Sequence, residues 1–540
     1  MTANGSSSSP AAPPEVDLAA AGLLPPLPAA LVGGAALDLL APLRFLPPGG
    51  LPAGPPPPVE RRALAAALAV ANAAYGHPRA AELAERLADP ATRVVVAGQQ
   101  VGLFGGPLYT LVKAAAAARF AEALEARGEP AVAVFWMATE DHDWQEVARA
   151  ALLAGEEVRH LDLGADPAAL LPVGLRTLGE GVTAAFAELA PLFPGERGAA
   201  WLAELGRWYR PEARFGEAFA RLLARLLGPR CPLLLDALLP ELKAAEAPWQ
   251  AALVARRDEV AAALEAADRE VEARGFPLQV APQPGASPLF LLRDGARRRI
   301  EWRPGERFAL RGAPGEHPLA ELRDALAENP AVVGPGVLAR PAIQDAVLGT
   351  TLQVMGPGEV AYLAQATAVY RVLRIPGPWV ALRPQALLLD ARQRQHLAEL
   401  GLDLGRLLAD PEGAARDLGE RAGGDFVARA REAVLAELDC LRAPALALDP
   451  QLERPFAKTR DGIAHALELF AGKVAAAAVR HDEGRARRLA QLRAACLPDG
   501  RLQERVLTGG LLPARYGDAL AAALLEQLGL DPRRLSVITP

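Results

Sequence analysis

The sequence predicts an α/β protein: a discontinuous Rossmann-like parallel sheet with inserted helices and a hairpin, then an antiparallel helical coiled-coil hairpin. Three observations carry this. Two apolar runs, Arg93–Ala97 (RVVVA) and Ala131–Ala138 (AVAVFWMA), flank a glycine-rich loop and a helical stretch, which makes a βαβ unit of about 45 residues. Two further runs, Cys231–Asp236 (CPLLLD) and Leu352–Met355 (LQVM), read as buried strands, the second again followed by glycine and a helix. From residue 386 the apolar spacing changes to steps of three and four.

Taken in order, residues 1–58 form a Pro/Ala/Gly-rich leader ending in GLPAGPPPP, expected to be partly irregular and docked only in places. Helices are expected over 59–75 and 79–87. Residues 59–385 form the core. After the strand RVVVA, the loop Gly98–Gly106 (GQQVGLFGG) runs to Pro107, whose missing N–H costs nothing in the first turn of a helix. Gly128 stops that helix before AVAVFWMA. PLFLLRDGARRRIEW, with Asp294-Gly295 at its centre, reads as a β-hairpin inserted beside the sheet. In the helical part, 386–500, Val434, Leu438 and Leu441 share one face, and Ile463, Leu467, Phe470 and Val474 form a heptad seam. That seam falters at His481 and Gly484 and resumes one residue out of phase at Leu489, Leu492 and Cys496, as a stutter would produce, with His481 packed between helices. Residues 501–540 are expected to pack back on the core.

Composition excludes several function classes. The 540 residues are 51% apolar and carry a formal charge of −6, so there is no electrostatic footprint for nucleic acid or an anionic membrane. Three cysteines without a CxxC pair make neither a disulfide framework nor a zinc motif, and fit a reducing cytoplasm. The start lacks a secretion signal, and the apolar stretch 23–46 is broken by prolines, Asp38 and Arg44. A cytoplasmic protein is expected. Four lysines stand against 54 arginines, so alanine-rich helices and arginine pairs carry little information, while a retained lysine or histidine carries more.

Ligands of open α/β sheets bind beyond the carboxyl ends of the strands. Two clusters lie there: Gly98–Gly106, whose backbone N–H groups and following helix suit an anion, and Glu140-Asp141-His142-Asp143, directly after the second strand. Parallel strands put both at one edge. Each has a plainer reading, a simple turn for the first and a solvated acidic loop for the second. His142 between aspartates suits a general base; a metal site is the minority reading, because no HxxxH or HExxH supplies further ligands. A third cluster holds Arg340, Gln344 and Asp345 (ARPAIQD), followed by Glu359 in GPGEVAY. Arg340 suits a carboxylate clamp or a structural salt bridge; Glu359 suits either a ligand or the helix dipole.

Taken together, VVVAGQQVGLFGGPLYTLVKA (94–114), VFWMATEDHDWQEV (134–147), LARPAIQD (338–345), GPGEVAYLAQ (356–365) and LQERVL (502–507) before RYG (515–517) resemble the bacillithiol-biosynthesis cysteine-adding enzymes, the BshC family. The resemblance runs from about residue 60 to the C-terminus. It implies a Rossmann-type core with connecting-peptide insertions, a coiled-coil hairpin that forms a homodimer, and cysteine and glucosaminyl-malate as substrates, joined by an amide bond. ATP or another nucleotide, with Mg²⁺, is the co-substrate suggested by fold relatives. In that setting Gly98, Gln99, Gln100, Gly102, Gly106 and Tyr109 would hold the nucleotide or an acyl-phosphate-like group, and Lys113 would neutralise phosphate or lie in solvent. His142, held by Asp141 or Asp143, would accept the amine proton, with Glu140 or Asp143 on the cysteine ammonium and Arg340, Gln344, Asp345 and Glu359 on substrate. Two departures stand out: Gly334-Pro335-Gly336 replaces the usual Ser-Pro-Asn, and ALRPQALLLD lacks the usual Pro-Arg-x-Ser. The competing readings are a nucleotidyltransferase-type enzyme, marked by pyrophosphate release without cysteine, and a non-catalytic coiled-coil assembly protein, which deletion of about 425–497 would disable.

Overall fold

The computed structural model describes residues 15–423 and 426–540; residues 1–14 of the leader lie outside them. The rest of the leader does more than dock in places. Val16, Leu18, Leu31 and Leu40 are buried, and β1 (Arg44–Phe45) joins the main sheet as an edge strand. The scattered leucines supply the burial, and the short strand covers open backbone groups on the sheet edge.

Helices Arg62–Tyr75 and Ala80–Ala88 lead to β2 (Arg93–Gln99). Pro107 caps the crossover helix Leu108–Glu125, and β3 (Ala131–Met137) follows with all seven residues buried. Ala114–Ala118 are all buried, so this alanine run is more than compositional background: small side chains let the helix lie between the sheet and the C-terminal segment. A short helix, Trp144–Val147, precedes the hairpin β4 (Arg149–Ala154) and β5 (Glu157–Asp162). Then come β6 (Leu233–Asp236) and helix Pro240–Ala255.

The expected hairpin is β7 (Ala286–Arg293) and β8 (Ala296–Arg303), turning on Asp294 and Gly295 with φ of 52° and 73°. With β9 (Arg307–Leu310), β10 (His317–Pro318) and β11 (Val333–Pro335) it forms a separate antiparallel sheet, ordered β10-β9-β8-β7-β11. Helix Arg340–Leu348, β12 (Thr350–Met355), helix Pro357–Leu373 and β13 (Trp379–Leu382) complete the core, and β14 (Gln385–Leu388) pairs with the C-terminal β15 (Leu535–Ile538).

The main sheet is parallel throughout, ordered β1-β13-β12-β2-β3-β6. From β2 the chain steps outward through β3 and β6, then crosses to the other side of β2 for β12 and β13, so the strand order reverses between β2 and β12. Alternate strand residues feed two apolar layers, Val94, Val96 and Val134 on one face and Val95, Ala97 and Phe135 on the other. Both faces are covered.

In the helical part, Phe426–Leu448 and Glu453–His481 run antiparallel, tied by Arg442–Glu453 and Arg460–Asp439. The stutter reading is overturned. Asp482 caps a new helix, Glu483–Cys496, which leaves at 100°, and His481 is exposed rather than packed. Leu489, Leu492 and Cys496 belong to that second helix and are buried against the core. Among the described residues no single helix is long and apolar enough to cross a membrane.

Candidate active site

A cleft of about 760 Å³ opens at the carboxyl edge of the main sheet, where the order reverses. Because β2 and β3 end in register, Gln99 opposite Met137, the segments that follow them face each other across it. Its walls bring together Gly98, Gln99, Gln100, the run Glu140–Asp143, Arg340 and Glu359 from the residues singled out above. The hairpin β7–β8 reaches over from the second sheet with Phe290, Arg297 and Arg299.

Each member of the acidic run has a different task. Glu140 is buried; its Oε2 accepts from Lys243 Nζ at 2.7 Å, and that lysine also donates to the buried Glu246 at 3.0 Å. Asp141 Oδ2 accepts from Gln100 Nε2 at 2.6 Å, which ties the ends of β2 and β3 together, and its Oδ1 accepts from the His142 N–H at 2.8 Å. Asp143 does not hold the imidazole: it caps helix Trp144–Val147 through the Glu146 N–H. Nor does Asp141, whose Oδ1 stands 3.6 Å from His142 Nδ1, whereas Arg297 donates to that nitrogen at 3.4 Å. Burial, aided by Arg297 and Arg176 against the pull of Asp141, holds His142 below the usual histidine range.

The glycine loop is not the expected cradle. Only Gly98, Gln99 and Gln100 reach the cleft, while Gly102 and Gly106 turn away and touch each other: a Cβ on Gly102 would lie 2.8 Å from the Gly106 Cα. The loop instead packs on residues 507–511, where a Cβ on Gly510 would lie 2.3 Å from Phe104 O. The first helical N–H, on Leu108, is taken by Leu507 O at 2.7 Å, and Pro107 is bridged to Thr508. The first N–H of the helix is therefore already occupied from within the chain. Tyr109 lies beneath, accepting from Gln99 Nε2 at 3.3 Å, its hydroxyl pushed up to about 12 by burial. Lys113 is neither in solvent nor on the cleft wall. It is buried, donating to Gly98 O at 2.8 Å and Gln99 Oε1 at 2.7 Å and paired with Glu359. Its role is to hold the end of β2.

Arg340 lines the cleft, its guanidinium set by Gln344 Oε1 at 2.7 Å and Tyr362 Oη at 3.0 Å. Gln344 and Asp345 do not reach the cleft. Asp345 is buried behind it, accepting from Gln344, Gln353 and Tyr370, and burial lifts its carboxyl to about 6. Glu359 both lines the cleft and accepts the Gly356 N–H at 2.7 Å. The two glycines that replace the family's Ser-Pro-Asn have a use here. A Cβ on Gly334 would lie 1.3 Å from Glu140 Oε1, and one on Gly336 would lie 2.9 Å from the Phe290 ring.

Sequence reasoning missed four contributors. Arg297 is 7% exposed, stacked 3.9 Å over Phe290 and bonded to Pro335 O; the alternation of ARRRIEW, which puts Arg297 and Arg299 on one strand face, was the available signal. Lys243 was one of only four lysines. Tyr362 stood within the motif GPGEVAY. Glu146 lines the cleft from an exposed position on the short helix; the protein mass around it, with Asp143 and Asp141 nearby, raises its carboxyl to about 7. Among the described residues no group of three or more His, Cys, Asp and Glu side chains is placed to hold a metal ion.

A cleft at the switch point of a parallel sheet, walled by carboxylates, a neutral imidazole and arginines, defines a Rossmann-like α/β protein with an enzyme-type site and an appended helical hairpin. Residues 55–384 match the Bacillithiol biosynthesis BshC, N-terminal Rossmann-like domain, and residues 386–532 its C-terminal coiled-coil domain. The chain belongs to the BshC family of bacillithiol biosynthesis. Curated relatives named "Putative cysteine ligase BshC" include that of Solibacter usitatus, 33% identical over 483 residues and covering 88% of each chain. That of Salinibacter ruber is 31% identical over 496 residues, 89% of each. That of Thermus thermophilus is 33% identical over 433 residues, 79% of this chain and 84% of the relative.

Proposed function

We propose that this protein is a cysteine ligase that joins the carboxyl group of L-cysteine to the amino group of glucosaminyl-malate, forming an amide bond in the last step of bacillithiol synthesis. One observation carries the reading: the cleft pairs an arginine wall, Arg297, Arg299 and Arg340, with an acidic wall, Asp141, Asp143 and Glu146. The substrates are complementary to it. Malate brings two carboxylates for guanidinium groups, and both partners bring amines for carboxylates. The attacking amine must be neutral, so its proton passes to a cleft group; His142, kept uncharged chiefly by burial, and Glu146, whose carboxyl is raised to about 7, are the groups whose proton affinity lies where a general base works best.

ATP with Mg²⁺ is the proposed co-substrate that activates the cysteine carboxyl, entering through the open cleft rather than on the glycine loop. The protein is proposed to work in the cytoplasm as a homodimer, paired through the outer faces of Phe426–Leu448 and Glu453–His481. Val434, Leu441, Leu469 and Phe470 are exposed there, a row of apolar side chains suited to a second copy.

The test is incubation of the purified protein with cysteine, glucosaminyl-malate and ATP-Mg²⁺, read by mass spectrometry. Bacillithiol is the expected product. Failure to form it, with pyrophosphate released in the absence of cysteine, would point to nucleotidyl transfer instead.

A further inference from the structure

We propose that Arg297 is a positioning residue that fixes His142 as the neutral Nε2–H tautomer, so that His142 donates a hydrogen bond to the acyl oxygen while Glu146 takes the proton of the attacking amine. The inference rests on the ligation reading and divides its chemistry between two side chains.

The argument begins with donors and acceptors. A guanidinium has only N–H donors, so the nitrogen it faces must present a lone pair. Arg297 Nη1 lies 3.4 Å from His142 Nδ1, and a neutral imidazole with that nitrogen bare carries its proton on Nε2. The competing tautomer would need a carboxylate at Nδ1. Asp141 is the nearest, and at 3.6 Å its Oδ1 lies beyond hydrogen-bond reach, held where it is by the backbone N–H of His142 while Oδ2 is held by Gln100. Arg297 is itself held, by Pro335 O at 3.2 Å, by the Phe290 ring and by long ion pairs with Glu140 at 3.9 Å and Asp141 at 3.8 Å, both longer than its contact with Nδ1, and its Nε is buried without a partner.

The charged groups facing His142 are Asp141 and Asp143 in its own loop, Arg297 on β8, and Arg176 from the segment after β5, which also donates to His142 O at 3.3 Å. Burial and the two arginines prevail, and the ring stays uncharged. Glu146 is the opposite case. Its carboxylate lines the cleft with no hydrogen bond or ion pair among the described residues, and it titrates near neutrality, where a general base is most useful.

The step then balances. The amine nitrogen attacks the carbonyl carbon of a cysteine carboxyl activated as a mixed anhydride with phosphate. As the C–N bond forms, the π pair moves onto the oxygen, which accepts the His142 Nε2–H bond without taking its proton. The nitrogen gives its proton to Glu146. Collapse restores the carbonyl and expels the phosphate with the bonding pair.

The test uses the full chain labelled with ¹⁵N-histidine, with His142 assigned by loss of its signal in His142→Gln. Long-range ¹H–¹⁵N spectra should show a protonated Nε2 and bare Nδ1 in wild type from pH 6.5 to 8, and Arg297→Met should lose that preference. A protonated Nδ1 in wild type, or an unchanged tautomer in Arg297→Met, overturns the positioning role whether or not ligation is observed. In the ligation assay, His142→Ala should lose about 100-fold or more, with part restored by the amide donor of His142→Gln. Glu146→Gln should lose about 100-fold or more and abolish the rise of kcat/KM through pH 7. A surviving pH limb in Glu146→Gln, or no rescue by His142→Gln, overturns the division of roles. No ligation by wild type would instead sink the functional reading, leaving the tautomer to be judged on the spectra.

Discussion

Glu504→Ala should be among the most damaging single substitutions outside the cleft. Glu504 and Arg383 have side chains 1% and 2% exposed, and the carboxylate accepts Arg383 Nη2 at 2.6 Å, Nη1 at 3.0 Å and the Ala386 N–H at 2.9 Å. Alanine removes both acceptor oxygens, and with them all three bonds, and leaves a guanidinium out of water without this counter-ion, a loss of about 3–5 kcal/mol. An exposed pair would cost under about 1 kcal/mol. The double change Arg383→Met with Glu504→Leu removes both charges, and should recover most of that loss, with a coupling above about 2 kcal/mol. Urea unfolding followed by tryptophan fluorescence measures each term. A single-variant loss below about 1 kcal/mol, or strictly additive losses, would refute the claim that this pair clamps the C-terminal segment onto the sheet. Arg383 also stacks 5.4 Å from the Tyr109 ring, so Glu504→Ala should weaken the cleft before global unfolding.

Three other outcomes are expected. Gly334→Ala drives a Cβ into the Glu140 carboxylate and should break its bond to Lys243, at a stability loss of about 1–3 kcal/mol and a larger loss of ligation, measured by calorimetry and turnover. Glu246 is held above its unfolded value of 4.5 by burial, at about 7, so the folded state binds the proton more tightly and stability is lost as pH rises from 4.5 through about 7; Glu246→Gln, which cannot ionise, should gain stability relative to wild type from pH 5 to about 7 and level off above it in urea titrations. A parallel pH dependence in both proteins would refute that. Leu441→Glu with Leu469→Glu should yield a monomer by light scattering with cleft ligands still bound; an unchanged mass would remove this face from the dimer.

Much of the fold was legible because its signals are local. The runs RVVVA and AVAVFWMA are too apolar for anything but buried strands, and both lie in the middle of the sheet. Asp294-Gly295 carries the positive φ angles that its turn demands. The acidic run after β3 reaches the cleft because strand ends of a parallel sheet share an edge. The helix break at Asp482 was misread since a phase slip of one residue looks the same for a stutter and for two helices; Asp482 as a cap was the missed sign.

Periodicity and turn chemistry alone determine the order of strands and helices, the hairpin and the run Glu140–Asp143, because each depends on neighbours a few residues away. Tertiary structure sets what those residues can do. Arg297 meets His142 from 155 positions along the chain, and Arg383 meets Glu504 from 121. Among 54 arginines nothing local distinguishes either one. The glycine loop shows the same limit: its sequence suits an anion, yet Leu507 O from the C-terminal segment takes the first helical N–H and Gly510 packs on Phe104, contacts between distant parts of the chain that no local pattern displays.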